Sequence, residues 1–286
     1  MQPFDYYKPD TFEEAFRLLT KPGIAVLPVA GATDLIPMTR DEHWRPDAVV
    51  DVKGLPGLGD LKETGEGLFV GAAVRMNEIA RSELVRSRWG VLAEGAASMG
   101  NEQVRNRATI GGNLCTASPA ADTAPALLVL EAEAVVRGPE GERRLPIAEF
   151  FRGPKQNALQ KGELLVGLLV PKPPEGSVGV YRKLSRRKAA DLSIVGVAAL
   201  AYPVDGNYKW RIAMGAVAPT PIRADQAEAV LNEGYDAAAV QKATRCAFDA
   251  CCPIDDIRSS VEYRRAMVVR ITRRAVEAVR AELPAA

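Results

Sequence analysis

Two stretches of small residues, far apart in the chain, limit what this sequence can build. The first is Val26-Leu27-Pro28-Val29-Ala30-Gly31-Ala32-Thr33-Asp34-Leu35, an apolar strand running into a turn. There Ala30, Gly31 and Ala32 leave room for a ligand, while Thr33 and Asp34 offer polar contacts. The second is Thr109-Ile110-Gly111-Gly112-Asn113, with Thr116-Ala117-Ser118-Pro119-Ala120-Ala121-Asp122 just behind it. Adjacent glycines let the backbone approach a ligand and adopt angles that other residues avoid. Successive N–H groups in such a turn form a nest for an anion such as a pyrophosphate. Thr109, Asn113, Thr116 and Ser118 add neutral donors. Asp122 stands where an apolar helix begins (Ala124, Ala126, Leu127, Leu128, Leu130), so it either caps that helix or accepts from a ribose hydroxyl. By itself a Gly-Gly pair reads as a tight turn before a core helix; two such loops in one chain suit the two ends of a dinucleotide. Neither carries the G-x-G-x-x-G pattern, which argues against a Rossmann unit.

Composition removes several other functions. A net charge of +1 gives no global field to recruit nucleic acid or an anionic membrane. No apolar run approaches the ~18 residues of a membrane helix. The start, Met1-Gln2-Pro3-Phe4-Asp5, lacks the basic and apolar regions of a signal peptide, so a cytoplasmic location is expected. The single histidine, His43, cannot build a zinc site of the usual kind, and no nucleophile elbow is visible to complete a Ser-His-Asp triad. Cys115, Cys246, Cys251 and Cys252 contain no C-x-x-C pair and lack the spacing of an iron–sulfur cluster. The last three read as helix-packing residues. Cys115 follows Asn113 by two positions and reads as a spectator near the site rather than a redox centre.

The hydrophobic pattern predicts an α+β chain, and 286 residues imply two or three units. Thr11 and Glu14 suggest a capping box for a helix over 11–20. Strands are expected at 24–28, 49–52, 68–72 and 164–170, with a hairpin around Pro139-Glu140-Gly141. The Pro-rich segment 171–176 marks a boundary. Beyond it, 178–184, 193–202 and 208–217 read as three antiparallel strands, followed by helices at 224–232, 236–251 and 258–281. Arg182, Lys183, Arg186, Arg187 and Lys188 form a basic cluster without the interleaved aromatics that nucleic-acid stacking needs. Helical spacing would pair Arg187 with Asp191.

Ala30-Gly31-Ala32-Thr33-Asp34-Leu35 and Thr109–Asn113 with Ala117-Ser118-Pro119 and Asp122 resemble the two flavin loops of the FAD-binding medium subunits of molybdenum hydroxylases, the xanthine dehydrogenase and carbon monoxide dehydrogenase family. The likeness continues through Tyr181-Arg182-Lys183, Arg187 and Asp191 to Ile257-Arg258-Ser259-Ser260 and Tyr263-Arg264. Ala32 departs from it, since many members have a second glycine there. The resemblance implies a two-part FAD-binding domain of the PCMH/VAO type over 1–175 and a C-terminal domain over 176–286. It implies FAD held by Val29, Ala30, Gly31, Ala32, Thr33, Asp34, Leu35, Thr109, Ile110, Gly111, Gly112, Asn113, Thr116, Asp122, Leu165 and Lys183. Backbone N–H groups of both loops would hold the pyrophosphate. Ile110 and Leu165 would wall the isoalloxazine ring, and Lys183 would stabilise negative charge at its carbonyl edge. The first loop has no histidine, so FAD is expected to be non-covalent. No catalytic or metal-binding residue is expected in this chain. The resemblance further implies two partners, a small [2Fe-2S] subunit and a large subunit with the molybdenum cofactor, in a dimer of heterotrimers. Electrons would leave through FAD to NAD, a quinone or dioxygen. The alternatives are a stand-alone FAD oxidoreductase and a non-catalytic nucleotide-binding module.

Overall fold

The computed structural model describes residues 2–283. Three larger sheets, a two-stranded hairpin of Phe151–Gly153 and Gln156–Asn157, and the helices between them build the molecule. Strands Asp5–Tyr7, Val26–Val29 and Ala48–Asp51 form a parallel sheet with the last in the middle. Helix Phe12–Leu19 makes the first crossover; the Thr11 side chain accepts from the Glu14 amide, and Phe12, Ala15, Phe16 and Leu19 are its buried face. Ala48–Asp51 is buried at every position, as befits a central parallel strand covered on both faces.

The second sheet is antiparallel throughout, in the order Leu61–Thr64, Gly67–Gly71, Leu164–Val170, Glu133–Gly138, Gly141–Pro146. Leu164–Val170 lies at its centre and is buried along its full length. Leu61–Thr64 is an additional strand whose Lys62 and Glu63 mask it in the sequence; charged edge strands of this kind discourage pairing with other chains. Short helices from Met76–Arg81 to Ala124–Val129 cover one face, and Trp89, Leu92, Ile110, Leu114 and Leu127 are their fully buried members.

The third sheet has four strands rather than three. Val178–Leu184, Val195–Val204 and Asn207–Gly215 form the expected meander, and the two-residue strand Ile222–Arg223 extends it. Its side chains divide with the two-residue period of a strand. Val197, Ala199 and Ala201 pack with helices Asp225–Glu233, Ala237–Ala250 and Val261–Glu282, whereas Tyr181, Ala198 and Leu200 join the core of the preceding helical layer. This sheet is therefore a shared wall, and the ends of its strands reach the region between the two small-residue stretches. Among the described residues, no helix is long and apolar enough to cross a membrane.

Candidate functional site

The first stretch leaves strand Val26–Val29 and enters the six-residue helix Leu35–Arg40. Gly31 lies so close to the backbone of Arg107 and Ala108 that a Cβ would stand 2.3 Å from the Arg107 carbonyl oxygen, so no larger residue fits. Ala32 has φ 62°, a left-handed conformation that costs an L-residue about 1–2 kcal/mol. Among the described residues, the amides of Gly31, Ala32, Thr33, Asp34 and Leu35 donate to no protein acceptor. A run of free amides around a left-handed residue is an anion nest.

The second stretch is a short helix rather than the tight glycine turn expected. Thr109 caps a short helix, Ile110–Cys115, by accepting from the Gly112 amide at 3.1 Å. The Ile110 amide donates to Val74 O, that of Gly111 to Ala72 O and that of Asn113 to Thr109 O. Its amides are therefore used inside the protein and are not free to grip a pyrophosphate. The two glycines also differ. A Cβ on Gly111 would meet the Ala72 Cβ at 2.6 Å, whereas on Gly112 it would meet only Thr109 Oγ1, at 3.1 Å. Gly111 serves close packing against the backbone; a side chain on Gly112 would crowd only the Thr109 hydroxyl that caps its helix. The two stretches touch: Thr116 Oγ1 donates to Asp34 Oδ2 at 2.8 Å.

Between them lies a cavity of about 1630 Å³, larger than the ~300–1,000 Å³ of most small-molecule pockets. Gly112 and Leu165 line one wall. The opposite side comes from the C-terminal part of the chain, including Ala190, Leu192, Ala216, Ile254 and Asp256. Arg264, almost fully buried, braces that side: Nη1 donates to Ile194 O and Ala216 O, both at 2.9 Å, and Nη2 to Asp256 Oδ1 at 2.8 Å. Burial by itself would raise the Asp256 carboxyl; the Arg258 amide and the Arg264 guanidinium prevail and hold it below its ordinary value.

The sequence matches the family described as FAD binding domain in molybdopterin dehydrogenase over residues 2–173, and that described as CO dehydrogenase flavoprotein C-terminal domain over 180–279. This chain belongs to the FAD-binding subunits of the molybdenum hydroxylases. Among its relatives, the carbon monoxide dehydrogenase medium chain of Hydrogenophaga pseudoflava is 32% identical, with 96% of each chain covered. The xanthine dehydrogenase FAD-binding subunit of Escherichia coli O157:H7 is 30% identical over 96% of each. Among solved structures, carbon monoxide dehydrogenase from Hydrogenophaga pseudoflava, in a form lacking the Mo-pyranopterin moiety, superposes with a TM-score of 0.94 at 33% identity, covering 99% of this chain and 100% of that one. The family expected from the sequence is thus borne out, as are its α+β fold, its FAD cofactor and its place among FAD-dependent oxidoreductase subunits.

In this FAD subunit, Val29 through Leu35, Thr109, Gly111, Gly112, Asn113, Thr116, Asp122 and Leu165 all line the cavity. Ile110 does not: its side chain is fully buried in the core of the helical layer, so it offers no wall to a ring. Lys183 is likewise not a lining residue. Its ammonium donates to Asp122 Oδ2 at 2.8 Å, Asp191 O at 2.9 Å and Ser98 O at 3.0 Å, which uses all three of its protons. Asp122 does not cap the following helix, where Thr123 holds the cap position. Instead its carboxylate also accepts from the Tyr181 hydroxyl at 2.8 Å and Ser193 Oγ at 2.6 Å. Burial and the neighbouring Asp122 charge push the Tyr181 phenol well above its ordinary value. The expected helical pairing of Arg187 with Asp191 is replaced by a bend, in which Asp191 Oδ2 accepts from the Arg187 amide.

Cys115 lines the cavity, and burial pushes its thiol up to about 12, which keeps it protonated and unreactive near neutral pH. The sequence reading missed His43 and Trp44 and the wall formed by Ala190, Leu192, Ala216, Ile254, Asp256 and Arg264. Ala190 and the residues after it lie far along the chain from either glycine stretch, and no local pattern ties them to it; His43 and Trp44 follow the first stretch closely but in a polar segment that carries no ligand signal.

Proposed function

We propose that the cavity holds FAD non-covalently, with its pyrophosphate on the amides of Gly31–Leu35 and its isoalloxazine ring toward Gly112 and Leu165. The observation that carries this reading is the nest: consecutive free amides on residues that line a dinucleotide-sized cavity suit a pyrophosphate. This differs from a two-loop grip. Phosphate binding falls to the first stretch, while the second contributes Gly112 to the cavity wall and the close packing of Gly111. The division of labour along the chain follows, with 1–175 as the FAD-binding unit and 176–286 as the unit that closes the cavity.

Bound there, the flavin supplies a centre that accepts two electrons and releases them singly. The protein's residues bind and orient it. Arg264 fixes the far wall through Ile194 O and Ala216 O, and the Asp34–Thr116 bond holds the two stretches together. Electron transfer needs no proton-transferring base, which fits a cavity whose single histidine is exposed. In this reading the chain takes electrons from a small [2Fe-2S] partner and delivers them to NAD, a quinone or dioxygen. A large partner with the molybdenum cofactor selects the substrate. The assembly is a cytoplasmic dimer of three-chain protomers.

Native purification tests this. The account expects stoichiometric flavin absorbing at ~450 nm, the isoalloxazine being the chromophore. It also expects acid to release that flavin as intact FAD, and a [2Fe-2S] chain to co-purify. A folded chain that neither retains nor rebinds FAD, or flavin left attached after acid precipitation, contradicts it.

A further inference from the structure

The cavity is walled by small, aliphatic and polar residues, and among its described lining residues only His43 and Trp44 carry aromatic rings. Trp44 is half-buried and packs, with Ala32, against Val29, Leu35 and Val49. Its position is held by the backbone: the amides of His43 and Trp44 both donate to Met38 O, at 2.8 and 3.1 Å. The other two tryptophans, Trp89 and Trp210, are fully buried. One partly exposed indole, beside the His43 imidazole, therefore stands at the first-stretch end of a cavity with no other aromatic ring among its described lining residues.

Its distance from the nest matters. Helix Leu35–Arg40 has six residues, about 9 Å at 1.5 Å per residue. Trp44, tied to Met38 in that helix, thus lies within one helix length of the free amides, the span of a single nucleoside. FAD has two unequal arms on its pyrophosphate. The shorter, ribose and adenine, matches this span. The longer, ribityl and isoalloxazine, is the one that can extend to Gly112 and Leu165. An indole face against a flat base removes apolar surface from water on both sides and adds stacking.

We propose that Trp44 stacks on the adenine ring of bound FAD and that residues 43–46 form the adenine subsite. The inference rests on the FAD reading above and concerns affinity rather than electron transfer.

The test uses the full chain depleted of FAD, as wild type, Trp44→Phe and Trp44→Ala, titrated calorimetrically with FAD, ADP and FMN. Stacking by one aromatic side chain predicts a roughly 5- to 150-fold loss of FAD and ADP affinity in Trp44→Ala. Trp44→Phe should fall between the two, and FMN affinity should stay unchanged. Wild-type indole fluorescence should fall saturably on adding ADP. Thermal unfolding of each ligand-free variant checks the fold, and Trp44→Phe carries the comparison if Trp44→Ala does not fold. Unchanged FAD affinity in a folded variant overturns the proposal, as does an equal loss of FAD and FMN. Failure of wild type to bind either flavin overturns the FAD reading instead.

Discussion

Replacing Lys183 with Met strands a buried carboxylate. The Lys183 and Asp122 side chains are 10% and 3% exposed, and their charged atoms meet at 2.8 Å. Without Lys183, Asp122 keeps the Tyr181 and Ser193 hydroxyls but loses its counter-charge, and Ser98 O and Asp191 O each lose a donor. Solvent has little access to compensate. Breaking a buried pair from one side costs about 3–5 kcal/mol, most of it from the uncompensated charge. The double variant Lys183→Met/Asp122→Asn removes both charges. It should therefore be more stable than the sum of the single losses predicts, by at least about 2 kcal/mol of coupling. Urea unfolding of the four FAD-depleted proteins, followed by circular dichroism, measures this without a contribution from ligand binding. A loss under about 1 kcal/mol for Lys183→Met, with no coupling, would show that the pair is solvated. The tie between the helical layer and the third sheet, and with it this side of the cavity, would then be wrong.

Gly111→Ala should destabilise the fold, because its Cβ would stand 2.6 Å from the Ala72 Cβ, whereas Gly112→Val should fold and lose FAD. Unfolding midpoints and flavin content separate the two, and stoichiometric FAD in folded Gly112→Val refutes the assignment. Ala32→Gly should stabilise the ligand-free chain by about 0.5–1 kcal/mol, since relief of the left-handed conformation exceeds the chain entropy that glycine adds; a less stable variant in the same urea assay contradicts this. Asp256 titrates below its ordinary value in the folded chain, so it contributes stability above the unfolded carboxyl value of about 3.9 that is lost as pH falls through the lower folded value. Asp256→Asn should accordingly flatten the pH dependence of stability below about pH 4, and an unchanged slope removes Asp256 from the cavity brace.

Local patterns in the sequence carried far. Helix Phe12–Leu19 announces itself through Thr11 and a clean apolar face, and Leu164–Val170 through an unbroken aliphatic run. The small residues of both stretches mark the cavity because tight backbone approach leaves a compositional trace. What the pattern cannot encode is which partner a polar group finds. Thr109 caps a helix whose amides pair with Ala72 and Val74, so the adjacent glycines that suggest a nest in the sequence form none there. Lys183 and Asp122 each look like ligand-binding residues in isolation and instead neutralise one another across 61 positions. Leu61–Thr64 is a strand only because Gly67–Gly71 offers it an edge.

The central claim is that the amides of Gly31–Leu35 carry the cofactor's pyrophosphate. A crystal structure of the chain with FAD measures it directly. The account predicts pyrophosphate oxygens within hydrogen-bond distance of those amides, with the isoalloxazine beside Gly112 and Leu165. Pyrophosphate held on the helix Ile110–Cys115 instead, or FAD outside this cavity, would contradict it.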